Sequence, residues 1–263
     1  MTPPRRVHGF TLIEMLVVVA IIVILASLTA PGIQRALIRG QQAQSMNNLR
    51  QLVAANLSYA VDHGHYVPAA DRWNVGRWHG RRTSTDSPFD PTQGFLADYL
   101  GEDRRVVQCP RFHKMLSGSQ SFEDGTGGYG YNSSYIGGWP GRGYDATGKK
   151  ISARPGQIMN PRTVMFASSA YASGNSVQEY AFAEPPFWDF GQGPTTHRPS
   201  ATTHFRFLGS AIVGWADGSV SSVSKAPRPA GSNPHGGDAE AHALGWFGPD
   251  DENGYWNPAR MSR

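Results

Sequence analysis

The sequence predicts an α+β fold in which one long amino-terminal helix begins in a membrane and ends packed on an antiparallel β-sheet. Three observations predict it. Leu12 to Ala30 is a 19-residue run in which Glu14 is the single charge. Met46, Leu49, Val53, Leu57 and Ala60 then recur at spacings of 3, 4, 4 and 3, one apolar stripe on a helix. Beyond them the chain breaks into short β-rich segments punctuated by Gly, Pro, Ser and Asn, the clearest being a hairpin pattern around Asp217-Gly218.

The totals are those of a folded body. With 263 residues the chain is long enough for one large domain or two small ones. Its 31 Gly and 19 Pro are many, yet 7 Trp, 10 Tyr and 12 Phe argue for a packed interior rather than a disordered chain. The formal charge is +4, with Arg5 and Arg6 contributing two of those charges, and no basic run follows. A nucleic-acid partner is therefore not expected. Cys109 is the single cysteine and cannot form an internal disulfide, so an extracytoplasmic body must be stable without one.

As a helix, Leu12 to Ala30 would be about 28 Å long, close to the roughly 30 Å hydrocarbon core of a bilayer. Met15 to Ala26 has no polar side chain. Its β-branched residues are modest helix formers in water, but lipid forces the backbone to satisfy its hydrogen bonds internally. Three readings compete for this segment. A secretory signal would be cut after Ala30, but the apolar stretch is long and Pro31 is a poor residue for a scissile bond. A plain signal anchor gains nothing from charge counting, because Arg35 and Arg39 balance Arg5 and Arg6.

The third reading rests on Gly9-Phe10-Thr11-Leu12-Ile13-Glu14, which resembles the processing site of type IV prepilins and type II secretion pseudopilins. The resemblance implies a leader over 1–9, cleavage by prepilin peptidase between Gly9 and Phe10, and N-methylation of Phe10. It places Glu14 at the acidic fifth residue of the processed chain, an assembly contact, and Pro31 at the twenty-second, where a helix-kinking proline is common. It implies a transmembrane helix over 10–30, an amphipathic stalk over 31–63 and a pilin-like globular β-rich domain over 64–263. The expected location is a bacterial inner membrane, single-pass with the carboxy-terminal domain periplasmic, or an extracellular filament after assembly. The partners it implies are prepilin peptidase, other pilin or pseudopilin subunits and the inner-membrane assembly machinery.

An ionised acid in lipid is costly and demands a partner. Cleavage after Gly9 would create an α-amine on Phe10 at the depth of Glu14, and the amine of one subunit would neutralise the acid of its neighbour. A plainer reading remains: Thr11 as N-cap with Glu14 three residues on is a capping box.

The helix is expected to run from Thr11 to about Asp62, ended by Gly64 and Pro68, with local weak points at Pro31 and Gly40. His63 and His65 read either as metal ligands or as solvated side chains at a helix end. Val106 to Pro110 reads as a short strand, Gly127 to Tyr144 as an aromatic loop or strand pair, and Thr163 to Tyr171 and Ser210 to Ser224 as the best strands. A loop-rich region from about Tyr66 to Ala201 decorates this frame. Cys109-Pro110, Tyr129-Gly130-Tyr131-Asn132, Asn160-Pro161 leading to Phe166, and Trp215 to Val220 resemble the succession of motifs in a large branch of prepilin-like bacterial proteins. That branch carries a His nine residues before its Asp-Gly. Here twelve residues separate His204 from Asp217, and Ser219 stands where the branch has a second His.

No catalytic constellation stands out. G-x-S-x-G, H-E-x-x-H, P-loop and C-x-x-C are absent from the sequence. Ser222 and Lys225 satisfy S-x-x-K, but in a serine-rich strand with no apolar helix to bury the lysine. Glu123 and Asp124, and Asp250, Asp251 and Glu252, read as solvated loop acids, and Pro249 to Gly254 lacks the alternating spacing of a calcium loop. No metal, cofactor or enzymatic activity is expected. Trp73, Trp78, Tyr129, Tyr131, Tyr135, Trp139 and Trp188 are either core filler or an exposed stacking surface for a glycan or another ligand. The expectation is a structural filament subunit, minor or specialised given its large body. A membrane-anchored adhesin or ligand-binding module is the alternative, and an anchored enzyme a third class.

Overall fold

Helix α1 runs unbroken from Leu12 to His63 in the computed structural model, which describes residues 10–116, 123–233, 236–249 and 251–259. Pro31 and Gly40 lie inside it, so neither ends the helix. The stop comes where the sequence places it: Gly64 adopts φ +73° and its N–H returns to Ala60 O over 2.9 Å. The chain divides into a unit ending at Gly40 and a unit beginning at Gln41.

In the first unit the helix is bare. Leu16, Ile22, Ile24 and Leu28 are all more than half exposed. Ser27 donates to Ile24 O over 2.8 Å and Thr29 to Leu25 O over 3.0 Å, so both hydroxyls are satisfied within the helix, as lipid would require.

In the second unit a four-stranded antiparallel sheet is the frame. Strands β1 (Tyr129–Tyr131) and β2 (Val164–Ser168) are followed by the hairpin of β3 (Tyr171–Ser173) and β4 (Ser176–Gln178). A second hairpin joins β5 (Phe187–Asp189) to β6 (Pro194–His197). Then come β7 (Thr203–His204), β8 (Ser210–Trp215) and β9 (Val220–Ser224). The sheet order is β1-β2-β8-β9. The β8–β9 hairpin turns through Ala216, Asp217 and Gly218, with Trp215 N–H donating to Ser219 O over 2.9 Å. Gly218 takes φ +88°, which a side chain would resist, and Asp217 Oδ1 accepts from the Ser219 N–H over 2.8 Å.

Helix α1 packs on this sheet where β8 carries no side chain. A Cβ at Gly214 would lie 2.4 Å from Val53 Cγ2 and 3.4 Å from Leu49 Cγ, so the glycine sets how closely helix and strand approach. The expected stripe supplies Leu49 and Val53 to this contact and Ala60 is buried further along, while Met46 and Leu57 are half-buried. Its composition departs from expectation: Ser45, Asn48 and Asn56 are buried too. Each finds a polar partner there, which is what makes burial tolerable. The other side of the sheet buries a cluster of Ala211, Val213 and Trp215 with Phe205, Phe247 and Trp256.

Val106 to Pro110 is not a strand. Pro110 instead opens a one-turn helix, α2 (Pro110–His113), with Cys109 as its N-cap. A proline has no N–H for a sheet ladder but fits the first helical position, and the Cys109 N–H bonds Gly127 O over 2.9 Å instead. Nor is Glu123 a solvated acid. It is 2% exposed and pairs with the buried Arg77 over 3.1 Å, while Asp124 beside it is exposed.

Candidate functional site

The residues that the sequence singles out for assembly lie at the start of α1. Thr11 and Glu14 form the complete reciprocal cap. Glu14 Oε2 accepts from the Thr11 N–H over 2.7 Å and from the Thr11 hydroxyl over 2.8 Å, and the Glu14 N–H donates to Thr11 Oγ1 over 3.2 Å. The plain capping reading of Glu14 is thus realised, and it does not exhaust the site. Phe10 is 77% exposed and Glu14 is exposed, beside the uncovered Leu12, Ile13 and Leu16. A carboxylate whose bonds all come from one neighbouring residue keeps acceptor capacity for a further cation. Gly9 and the rest of the expected leader, with Arg5 and Arg6, lie outside the described residues. Pro31 lies within the continuous α1. By length and composition the apolar part of α1 can cross a membrane.

The motifs of the body form a scaffold. Tyr129 donates to Ser45 O over 3.3 Å, and Tyr131 donates to Val67 O over 3.0 Å while accepting from Asn56. Between them, a Cβ at Gly130 would meet the backbone carbon of Phe182 at 2.4 Å, so only glycine admits the 181–183 segment against β1. Asn132 donates to Val164 O over 2.8 Å and to Trp256 O over 3.0 Å, tying β1 to β2 and to the carboxy-terminal segment. Cys109 is buried beside Ser45, with 3.1 Å between Sγ and Oγ. All of these are packing and hydrogen-bonding roles.

The remaining candidates separate. His63 stacks on Tyr59 with centroids 4.1 Å apart, and His65 Nδ1 lies 2.8 Å from Tyr66 O. His204 on β7 is fully buried against the edge of Phe112, and burial, followed by the Arg206 guanidinium, holds its pKa well below the ordinary value. Asp217 is exposed in the β8–β9 turn. Ser222 accepts from Gln42 Nε2 over 3.1 Å, and Lys225 pairs with Glu240, so neither is set up as a nucleophile or its base. In Pro249 to Gly254, Asp250 lies outside the described residues. Asn253 is buried and donates to the Tyr135 hydroxyl over 2.7 Å and to Phe187 O over 3.0 Å, a structural bracket. Among the described residues no group of three or more His, Cys, Asp or Glu could hold a metal.

The aromatic set divides rather than choosing one reading. Trp78, Tyr129, Tyr131 and Tyr135 are buried, Trp139 is half-buried, and Trp73 and Trp188 reach the surface. Phe190, Lys150, Glu184 and Arg198, which surround Trp188, escaped the sequence reading. Lys150 is distant in the chain and no local signal marks it, whereas the aromatic alternation of Phe187-Trp188-Asp189-Phe190 could have found Phe190.

Comparison with known proteins agrees with the geometry at the helix start. Residues 4–30 match the family model described as the Prokaryotic N-terminal methylation motif. Over 79 residues the chain is 35% identical to the Type IV major pilin protein PilA of Myxococcus xanthus, covering 30% of this chain and 36% of that protein. The chain therefore matches little more than a third of the length of this curated relative. No solved structure matches. The amino-terminal segment of this chain carries the prokaryotic N-terminal methylation motif, which runs into the apolar first part of one long helix.

Proposed function

We propose that the chain is a structural, non-enzymatic subunit that is cut between Gly9 and Phe10, N-methylated on Phe10 and built into a type IV pilus-like or type II secretion pseudopilus filament. The observation that carries this reading is Glu14: an exposed carboxylate in the first turn of a bare apolar helix, inside a methylation motif. In lipid such a group needs a counter-charge. The amine freed on Phe10 has the right charge and depth, and in a stack of subunits the amine of one chain can meet the acid of the next. Because Glu14 Oε2 already bonds the Thr11 N–H, one residue from that amine, pairing within the same chain competes with pairing between chains. Docking then exchanges one ion pair for another rather than creating a charge contact from nothing. Its partners in this reading are prepilin peptidase, sibling subunits and the inner-membrane assembly machinery, with the carboxy-terminal domain periplasmic before assembly. Pro31 is the place where α1 would bend to fit its neighbours. The large body suits a minor or specialised subunit.

Glu14→Gln tests the electrostatic claim, because glutamine can keep the cap on the Thr11 N–H while losing the charge. The expected result is a chain that is cleaved and membrane-inserted but absent from sheared filaments. Incorporation of Glu14→Gln at the level of the unaltered chain would leave capping as the whole role of Glu14.

A further inference from the structure

A cleft of about 430 Å³ opens between the Ser133–Tyr144 loop and the β5–β6 hairpin, within the range of roughly 300–1,000 Å³ usual for small-ligand sites. One wall is aromatic. The rings of Trp188 and Phe190 lie parallel within 5°, their centroids 6.1 Å apart, and Phe190 is 70% exposed. The rest of the lining mixes Trp139, Tyr144, Tyr180 and Phe182 with a balanced set of charges, Lys150 and Arg198 against Glu184 and Asp189.

These groups are held in place before any ligand arrives. The Arg198 guanidinium stacks 3.6 Å from the centre of the Trp188 ring, pairs with Glu184 over 2.9 Å and donates to Ser134 Oγ over 3.2 Å. Asp189 accepts from the Tyr135 hydroxyl over 2.9 Å and from the Gly191 N–H over 2.8 Å, fixing the hairpin tip. At the rim, a Cβ on Gly191 would lie 2.8 Å from Gly141 Cα, so the two loops touch backbone to backbone. Donor capacity is left over. Lys150 Nζ makes one long bond, 3.3 Å to Ser133 O, although an ammonium carries three N–H groups. Arg198 Nε is buried with no partner among the described residues.

We propose that this cleft binds a neutral saccharide. A pyranose ring has an apolar C–H face that lies flat on an aromatic ring and a perimeter of hydroxyls that both donate and accept. Phe190 supplies the flat apolar surface, backed by the Trp188 ring that Arg198 holds in place, with Lys150 the spare donors and Glu184 an acceptor. Balanced charge in the cleft gives an anionic or cationic ligand no electrostatic advantage over a neutral one. The site belongs to the body alone and does not depend on filament assembly.

The test uses the full chain in a detergent without a sugar headgroup. Cellotetraose and chitotetraose serve as neutral probes and trigalacturonate as an acidic one, each titrated against tryptophan fluorescence and ligand-observed saturation transfer. At least one neutral probe is expected to bind. Phe190→Ala should weaken it at least about tenfold, while Met159→Ala, an exposed apolar residue outside the cleft, leaves it unchanged. Phe190 is exposed enough that its loss should not move the thermal transition, which the same samples report. Binding of trigalacturonate alone, binding indifferent to Phe190→Ala, or no binding of either neutral probe would overturn the proposal. None of these outcomes bears on whether the chain enters filaments.

Discussion

Asn56 Nδ2 donates to the Tyr131 hydroxyl over 3.1 Å, and its Oδ1 accepts from the Val67 N–H over 2.9 Å. One buried amide on α1 thereby holds both the edge of the sheet and the chain that leaves the helix. Asn56→Ala should cost about 2–3 kcal/mol, because the Val67 N–H is left buried without its acceptor. Tyr131→Phe should cost about 1–3 kcal/mol, because it leaves the Asn56 amide N–H without its acceptor and the Val67 carbonyl without its donor. Urea unfolding of the two single variants and of the double variant checks this: the combined loss should fall short of the sum of the single losses. Strict additivity would mean that the two side chains do not share one network.

Gly214 is the contact point between β8 and α1, so Gly214→Ala should destabilise by about 1–3 kcal/mol through overpacking. Val53→Ala removes the methyl group it would strike. The double variant should therefore be more stable than the sum of the single losses predicts, a coupling read from a double-mutant cycle. Strict additivity would show that the helix simply shifts away.

Processing leaves a signature in the intact mass of the membrane-extracted protein. The expected species has lost residues 1–9 and gained one methyl group. An unshortened chain, or one trimmed near Ala30, would reject processing at Gly9.

His79 is fully buried between Trp78 and Phe89, and burial, aided by Arg77, lowers its pKa to about 3. The unfolded chain takes up a proton near pH 6.5 and the folded one does not. Stability contributed by the neutral ring is therefore whole above pH 6.5 and is lost progressively as pH falls toward 3. Relative to His79→Phe, the unaltered chain should lose about 2 kcal/mol between pH 7 and pH 5. Comparing two chains that differ only at residue 79 largely cancels the opposing effect of Glu123 and Glu179, whose pKa values burial raises. Parallel stability curves would show that His79 becomes protonated within the fold.

Much of the frame was legible because its signals are local. The helix end at Gly64, the Asp217-Gly218 turn, the strands around Phe166 and Val213, and the Thr11–Glu14 cap each depend on residues a few positions apart. The failures share a cause. Val106 to Pro110 has strand-like side chains, but Pro110 sits at the first position of a turn of helix, and the Cys109 N–H bonds Gly127 O, a partner outside the segment. Glu123 looks like a loop acid until Arg77 is brought beside it. Asn48 and Asn56 look like solvent-facing helix residues until Gln108, Val67 and Tyr131 arrive with matching groups.

By itself the sequence determined the amino-terminal methylation motif, the apolar helix behind it and the pairing of Glu14 with Thr11. Those depend on short-range hydrogen bonds and on an uninterrupted run of apolar side chains, both written in consecutive residues. Only the tertiary structure decided which aromatic residues became core and which, with Phe190, Lys150, Glu184 and Arg198, came to face one cleft. The physical reason is that burial and charge pairing depend on which segments meet, and those segments are tens of residues apart in the chain.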